Sequence, residues 1–354
     1  MTLLSSGDRI SDTLVVDRLL GEGAFAEVHR VRHDYLGLQA MKVFKRVASL
    51  DKTRELLGEA RLLSTLGHPH IVRLFDANTV QTPEGLRGYF TMEYVSGGSL
   101  EQLLYSHRPG VPVDIAVEVI EQIADGLSAA HGRTPPIVHR DLTLANVLVG
   151  YDTGADGRPR VRISDFGLAK RTDPITMLAS AQGTYAFMAP EVMRYQGYSC
   201  ASDVYSVGTI AYVLLTNHFP YEDPHALSSF SLARFGRTLL PPSRFNDDVD
   251  AELDRIVLAT LRLEPGDRPA DAGALVDMLR AWEGRPARPA SPTRRARGPD
   301  EDARELAKNA LERALHPDGL PEATALMERA MELDPSVRDR YLSKLALWRR
   351  GVIM

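Results

Sequence analysis

The spacing of apolar residues in the first hundred positions predicts a β-sheet. Five short segments alternate or run apolar between glycine and polar turns: residues 14–20, 27–31, 38–44, 71–75 and 89–94. Such segments are typical of antiparallel strands. Residues 53–66 instead repeat leucine at helical spacing and end at Gly67. The pattern therefore predicts a five-stranded antiparallel sheet with one helix, preceded by a loose leader at residues 1–12.

Helical periodicity dominates after Ser99. Residues 100–105, 115–130 and 202–215 are predicted helices, and the last one contains the most apolar run of the chain. That run is far too short to cross a bilayer, so it predicts a buried core helix rather than a membrane span. With the strands, these helices predict an α+β fold that has a sheet-rich first lobe and a helical second lobe.

The composition changes after Trp282. Residues 284–299 contain proline and arginine without apolar periodicity, which is typical of an extended linker. Residues 300–354 predict a small all-α segment, in which residues 327–336 are similar to the junction between tetratricopeptide repeats. Two interpretations remain open: a repeat-like module that binds a protein partner, or a plain helical hairpin that packs on the preceding domain or on a second copy of the chain.

Composition and charge narrow the class of protein. The 354 residues, 44% of them apolar, are enough for a two-lobed domain with a smaller addition. The net charge of -5 argues against nonspecific nucleic-acid binding. The single cysteine, Cys200, excludes an intrachain disulfide and favours a cytoplasmic location. No secretory signal and no membrane partner are predicted, because no basic stretch at the start is followed by a long apolar run.

Two short motifs carry the chemistry. Residues 139–146 read HRDLTLAN and residues 165–167 read DFG, with strand-like segments between them. One hairpin is therefore predicted to hold both motifs. Phosphoryl transfer depends mainly on positioning and charge neutralisation. In that chemistry Asp141 would receive the substrate hydroxyl, while Asn146 and Asp165 would hold Mg²⁺ on the phosphates.

These motifs resemble the catalytic loop (residues 139–146) and the metal-binding turn (residues 165–167) of the eukaryotic-type (Hanks-type) Ser/Thr protein kinases of bacteria. The resemblance extends over residues 13–283. The resemblance implies the two-lobed protein-kinase fold. Residues 20–28, LGEGAFAEV, are similar to the glycine-rich loop, whose backbone N–H groups approach the phosphates. Lys42 then corresponds to the lysine that binds the α- and β-phosphates, and Glu59 to its ion-pair partner.

The resemblance also implies where ATP binds. Met92 is the expected gatekeeper, and the backbone of Glu93 and Val95 is expected to face the adenine. Four side chains are expected to sandwich the adenine: Leu20, Val28, Ala40 and Leu148. The full set of residues expected around the nucleotide is Leu20, Gly21, Gly23, Ala26, Val28, Ala40, Lys42, Met92, Glu93, Val95, Leu148 and Asp165. The residues expected to be catalytic are Lys42, Glu59, Arg140, Asp141 and Asn146. The metal, Mg²⁺ with Mn²⁺ as a possible substitute, is assigned to Asn146 and Asp165.

The resemblance implies two contacts that support the second lobe. Glu191, in the APE motif, is expected to pair with Arg268, and Asp203 is expected to brace the catalytic-loop backbone from a buried helix. Arg140 corresponds to the arginine that, in the family, pairs with a phosphate on the activation segment. The candidate acceptors of that phosphate are Thr176 and Ser180, and the sequence leaves open which of the two is phosphorylated.

The sequence departs from the family pattern at two positions. Thr143 stands where Ser/Thr kinases usually carry a lysine that steadies the transferred phosphate, and Ala26 replaces the third glycine of the loop. The expected function remains an active Ser/Thr kinase that phosphorylates itself or another protein. The alternative is a nucleotide-binding pseudokinase scaffold that recruits a partner through residues 300–354.

Overall fold

The computed structural model describes residues 2–23, 25–45, 66–107, 111–151, 158–166, 185–221, 232–283, 301–314 and 319–333, with positions 341, 345 and 348. The chain divides into two compact units. The first unit contains Met1–Leu104, Pro109–Gly150 and Pro159–Trp282. The second contains Tyr105–Arg108, Tyr151–Arg158 and Glu283–Met354.

A six-stranded antiparallel sheet forms the first lobe of the first unit. Its strands are β1 (Arg9–Ser11), β2 (Leu14–Glu22), β3 (Ala26–His33), β4 (Gly37–Phe44), β5 (Leu74–Thr82) and β6 (Gly85–Glu93). Their order across the sheet is β1-β2-β3-β4-β6-β5. β6 is an inner strand and is buried over residues 87–92, whereas β5 lies at the edge and is mostly exposed.

The sheet corrects the sequence prediction in two places. A sixth strand, β1, lies within the predicted loose leader, and Leu3 and Leu4 of that leader are buried, with 3% and 5% of their surface exposed. The fourth predicted strand was misplaced, since Ile71 makes only an isolated bridge to Ile163 and the strand runs over β5. Both elements escaped detection because β1 is short and an edge strand buries few apolar side chains.

Helices build the second lobe. They are α1 (Leu100–Ser106), α2 (Val113–His131), α3 (Pro190–Met193), α4 (Cys200–Thr216), α5 (Ala251–Thr260) and α6 (Ala272–Glu283). α4 is buried over residues 201–216, as its apolar run predicted, and α2 and α5 pack against it. A capping box between Ser199 and Ser202 begins this helix, and Asn217 ends it in the left-handed conformation. α4 is therefore the central support of the helical lobe.

A two-stranded hairpin connects the two motifs found in the sequence. It consists of β7 (Val147–Tyr151) and β8 (Pro159–Ile163), and a short 3-10 helix, Leu144–Asn146, precedes it. The predicted hairpin is thus confirmed, while its connecting residues 152–157 lie outside the described part of the chain. None of the helices in the described ranges is both long enough and apolar enough to cross a bilayer.

Two further helices belong to the second unit. They are α7 (Glu301–Arg313) and α8 (Leu320–Leu333), and an ion pair of 2.9 Å joins Arg313 to Glu322. Their shared core consists of Ala307, Ala310, Ala314, Ala323, Met327, Ala330, Leu345 and Trp348. The small all-α segment is therefore present, and its likeness to a tetratricopeptide repeat stays a prediction. The predicted linker at residues 284–299 lies outside the described ranges.

Candidate active site

The Asp203 carboxylate fixes the backbone of the catalytic loop. It lies on α4 with 1% of the residue exposed. Its Oδ2 atom accepts hydrogen bonds from the His139 N–H at 2.6 Å and from His131 Nε2 at 3.0 Å, and Oδ1 accepts from the Arg140 N–H at 3.0 Å. Arg140 has a φ of 69°, a conformation that is unfavourable for a residue other than glycine. The predicted brace is thus confirmed, and it holds a strained turn in place.

The His139 ring joins the catalytic loop to the metal-binding turn. The ring is fully buried. Its Nδ1 atom accepts from the Asp141 N–H at 3.3 Å, so Nε2 carries the proton and donates to the Ser164 carbonyl oxygen at 2.9 Å. The ring centroid lies 4.6 Å from that of Phe166. Because Ser164 and Phe166 flank Asp165, these contacts fix the two motifs relative to each other.

Asn146 completes this connection. Its Nδ2 atom donates to the Asp141 carbonyl oxygen at 2.7 Å, which orients the side-chain amide. Its own carbonyl oxygen accepts from the Ser164 N–H at 2.8 Å and from Ser164 Oγ at 3.0 Å. The structure therefore holds Asp141, Asn146 and the residue before Asp165 in one hydrogen-bonded network.

Lys42 of β4 reaches the metal-binding turn. Its Nζ atom lies 2.6 Å from Asp165 Oδ1, and the two side chains are 19% and 28% exposed. An ion pair that remains in contact with solvent contributes little to stability. Its importance is positional, because it places a cation from the sheet beside the carboxylate of the helical lobe. The predicted ion-pair partner, Glu59, lies outside the described residues.

Three of the four side chains predicted to sandwich the adenine come together. Val28, Ala40 and Leu148 pack in one cluster with Met92. Leu20, the fourth, is 40% exposed on β2 and is not part of this cluster. A cavity next to this cluster is lined by Ile71, Val72, Leu74, Phe90, Met92, Ile163, Ser164, Asp165 and Phe166. This cavity shares Met92 with the apolar cluster and Asp165 with the ion pair to Lys42.

The glycine-rich hairpin connects β2 to β3. Gly21 pairs with Val28 across the two strands, and the Gly23 N–H donates to the Ala26 carbonyl oxygen at 2.9 Å. Ala26 is buried and pairs with Phe44 as a regular member of β3. Alanine is well suited to such an extended position, so the replacement of the third glycine does not disturb the hairpin backbone.

The predicted hinge contains an ion pair that the sequence did not reveal. The Glu93 N–H donates to the Arg73 carbonyl oxygen at 2.8 Å, and Glu93 Oε1 lies 3.1 Å from Arg162 Nε of β8. Val95 follows two residues later and is half-buried. β8 alternates apolar and basic residues (PRVRI), as a half-buried strand does, so no signal in the sequence singled out Arg162.

A buried ion pair connects the APE motif to the far end of the helical lobe. Arg268 donates from Nη1 to Glu191 Oε1 at 2.7 Å and from Nη2 to Oε2 at 2.8 Å. The same guanidinium also donates to the carbonyl oxygens of Ala201, Arg262 and Leu263. This two-point contact confirms the predicted pair, and its geometry is the strongest that arginine makes with a carboxylate.

The Arg140 side chain retains a buried donor. Within the described ranges its Nε atom is buried and has no hydrogen-bond partner, and its guanidinium carbon lies 6.0 Å from the Tyr198 ring centroid. Burial raises the pKa of the Tyr198 phenol, and the negative charge of Asp141 adds to that effect. The predicted activation-segment sites, Thr176 and Ser180, lie outside the described residues.

This fold and site define the chain as a protein kinase by architecture. The sequence profile of the protein kinase domain matches residues 14–280, and the chain therefore belongs to the protein kinase family. Solved structures agree. The kinase domain of Mycobacterium tuberculosis PknI is 27% identical with a TM-score of 0.58, and covers 78% of this chain and 99% of its own length. A double mutant of that domain gives a TM-score of 0.61 at 25% identity, covering 80% of this chain and 100% of its own.

Curated relatives carry the same family name. Serine/threonine-protein kinase PknB of Mycolicibacterium smegmatis is 31% identical over 291 residues, which are 79% of this chain and 45% of that protein. Serine/threonine-protein kinase Pkn1 of Myxococcus xanthus is 35% identical over 272 residues, 74% of this chain and 37% of that protein. The chain thus spans about half the length, or less, of the curated relatives it matches.

Proposed function

We propose that the chain is a Ser/Thr protein kinase that transfers the γ-phosphoryl group of ATP to hydroxyl groups of proteins. The observation that carries this proposal is the 2.6 Å contact between Lys42 and Asp165, at a turn fixed to the loop of Asp141 and Asn146. Relatives named as Ser/Thr kinases support the same reaction. They also make the pseudokinase alternative less favourable.

Asp141 and Lys42 have separate tasks in this proposal. Asp141, held by the His139 ring and the Asn146 amide, orients the acceptor hydroxyl and receives its proton. Lys42 binds the α- and β-phosphates, and Glu59 forms an ion pair with Lys42, as the corresponding residues do in the family. The protein forms no covalent intermediate in this reaction, so the accuracy of these positions accounts for most of the rate enhancement.

Asn146 and Asp165 fit a divalent metal, which family membership implies together with ATP. An amide oxygen and a carboxylate are the hard oxygen ligands that Mg²⁺ prefers, and Mn²⁺ accepts the same set. No cluster of three or more metal-binding side chains exists among the residues that the structure describes. Two protein ligands suffice, because Mg²⁺ in kinases is completed by phosphate oxygens and water. The bound ion would neutralise phosphate charge beside Lys42.

The nucleotide is assigned to the cleft between the sheet and the hairpin. Val28, Ala40, Met92 and Leu148 supply an apolar wall for the adenine, with Leu20 at its exposed rim. The backbone of Glu93 and Val95 is proposed to face the adenine edge. The backbone of Gly21, Gly23 and Ala26 is proposed to cover the phosphates.

Arg140 is proposed to receive a phosphate attached to Thr176 or Ser180. A guanidinium that has a buried donor without a partner among the described residues is a strong site for a phosphate group. Mass spectrometry after autophosphorylation should find one of these two residues modified. Replacing the modified residue with alanine should then slow transfer. An unphosphorylated enzyme as fast as the phosphorylated one would contradict this assignment.

Partners, location and domain limits remain proposals. The substrate is a protein with a Ser or Thr acceptor, and residues 300–354 serve as a docking or self-association segment beside a kinase domain at residues 13–283. No nucleic-acid or membrane partner is proposed. The single cysteine supports a cytoplasmic location.

A transfer assay with a protein substrate, labelled ATP and Mg²⁺ tests the proposed activity. Wild type should label the substrate or itself at serine or threonine. Asp141→Asn should lower kcat by at least about a hundredfold while leaving ATP binding unchanged, because the amide cannot take the proton. Lys42→Met should lower kcat and also weaken ATP binding. Full activity in either variant, or dominant transfer to tyrosine, would show that the proposal is wrong.

A further inference from the structure

A buried carboxylate lies on the face of the sheet opposite the proposed nucleotide site. Glu27 follows Ala26 on β3, and its side chain is fully buried. Side chains alternate along a strand, so Glu27 and His29 point to one face and Ala26 and Val28 to the other. Val28 contributes to the adenine wall. Glu27 is therefore not an ATP ligand, and its burial needs another explanation.

The segment that precedes the sheet satisfies this carboxylate. The Leu3 N–H lies 3.0 Å from Glu27 Oε1 and 2.9 Å from Oε2, and His29 Nε2 lies 3.0 Å from Oε2. A buried carboxylate is unfavourable unless donors replace the lost water. Glu27 therefore depends on a backbone group that is 24 positions away in the sequence.

Apolar contacts and backbone bonds hold the same segment. Leu3 and Leu4 are buried in one cluster with Val31 and Met41. The Gly7 N–H donates to the Val16 carbonyl oxygen at 2.9 Å, which begins the pairing that β1 continues. We call residues 2–8 the N-terminal strap. It is attached to β2 at one end and to Glu27 at the other.

Glu27 stands where the glycine-rich hairpin returns to the sheet. It pairs with Glu22 of β2 and with Val43 of β4. The preceding residue, Ala26, accepts the hydrogen bond from Gly23 that closes the hairpin. A fixed Glu27 side chain therefore fixes the base of the hairpin and the adjacent Val28.

We propose that Glu27 is a positioning residue for ATP, and that the N-terminal strap, bound through Glu27 and His29, holds the glycine-rich hairpin in its nucleotide-binding geometry. This inference rests on the proposed function. Without the strap, the hairpin must be ordered when the nucleotide binds, and the cost of that ordering lowers affinity. The strap thus contributes to ATP binding without touching the nucleotide.

The experiment compares full-length variants that release the strap with a matched control. Leu3→Ser combined with Leu4→Ser removes the apolar anchors, and Glu27→Ala removes the acceptor. Val80→Ala is the control, because Val80 belongs to the same buried cluster but lies on the edge strand β5. Glu27→Gln keeps one acceptor oxygen for the Leu3 N–H. This variant should therefore stay close to the wild type in its KM for ATP and in its hydrogen exchange.

Two measurements decide the outcome at a temperature where all variants are folded. The releasing variants should raise the KM for ATP about fivefold or more with kcat within about twofold, the pattern expected when binding is lost. Hydrogen exchange over residues 20–28 should accelerate in the same variants and not in Val80→Ala. If the releasing variants lose only thermal stability, with KM and exchange like those of Val80→Ala, the strap is merely structural and the proposal is overturned.

Failure of the proposed function would look different. A wild-type protein that binds ATP but transfers no phosphoryl group would contradict the kinase assignment. The dissociation constant of ATP then replaces KM, and together with hydrogen exchange it still decides the role of the strap. A wild-type protein that binds no ATP, even with Mg²⁺ present, would overturn both.

Discussion

Replacing the Asp203 carboxylate with an amide should distort the backbone of the catalytic loop while leaving every residue of that loop unchanged. The variant therefore tests how much activity depends on the shape of the loop. The carboxylate accepts three hydrogen bonds, two at Oδ2 and one at Oδ1. In Asp203→Asn the amide oxygen can keep the two bonds from His131 and His139. The NH₂ group must then face the Arg140 N–H, and two donors cannot pair.

The expected loss of unfolding free energy follows from the hydrogen bond that the Arg140 N–H no longer makes. A hydrogen bond to a charged group contributes about 1.5–3 kcal/mol, and an unsatisfied buried donor costs about 1–3 kcal/mol. We expect Asp203→Asn to lower the free energy of unfolding by about 2–4 kcal/mol. The turn at Arg140, with its φ of 69°, should also relax. A displacement of about 1 Å at Asp141 should lower kcat about a hundredfold.

Urea unfolding and steady-state transfer kinetics measure these two effects, with Asp254→Asn as the control. Asp254 is also a buried carboxylate, and it accepts from the Ser243 N–H at 2.9 Å and from Ser243 Oγ at 2.5 Å. A serine hydroxyl can accept instead of donate, so the control should lose less than about 1 kcal/mol and keep its kcat. If Asp203→Asn behaves like this control, the reasoning about the loop is refuted.

Three further predictions concern single residues. Thr143→Lys should preserve or raise kcat, since it restores a cation near the transferred phosphate, and a loss of more than about tenfold would show that Thr143 has a role of its own. Arg268→Met should lower the free energy of unfolding by about 3–5 kcal/mol in urea titrations, because it leaves Glu191 as a buried unpaired charge. Burial lowers the pKa of His70 below its usual 6.5. As the pH falls below about 6.5, the unfolded chain therefore binds more protons than the folded chain does. The stability that is present above that pH is then lost. His70→Gln should flatten this slope in unfolding free energy measured against pH.

The catalytic motifs were predictable from the sequence because their residues are contiguous. The strand-like segments between Asn146 and Asp165 predicted the hairpin, and the resemblance of the two motifs to those of protein kinases implied the fold class. The apolar run of α4 predicted its burial for the same reason. A local sequence pattern is sufficient to predict a feature when all the residues that define it lie in one helix, strand or loop.

What escaped prediction depends on contacts between distant residues. Leu3 and Leu4 show no periodicity, and they are buried by packing against distant residues such as Val31 and Met41. The Leu3 N–H also bonds to a carboxylate 24 positions away. Arg162 and Glu93 are separated by 69 positions and show no motif that would pair them. Polar residues of this kind take their roles from tertiary geometry, and a single sequence contains little trace of that geometry.

The bonds of Asp203 also affect when the active site can form during folding. Its partners His131, His139 and Arg140 are 72, 64 and 63 positions away along the chain. Contacts over such distances form slowly, because a long loop must close before they stabilise anything. We therefore expect the catalytic loop to acquire its shape only after α4 has docked. A chain whose sheet lobe has already folded would still lack a braced catalytic loop until the central helix is in place.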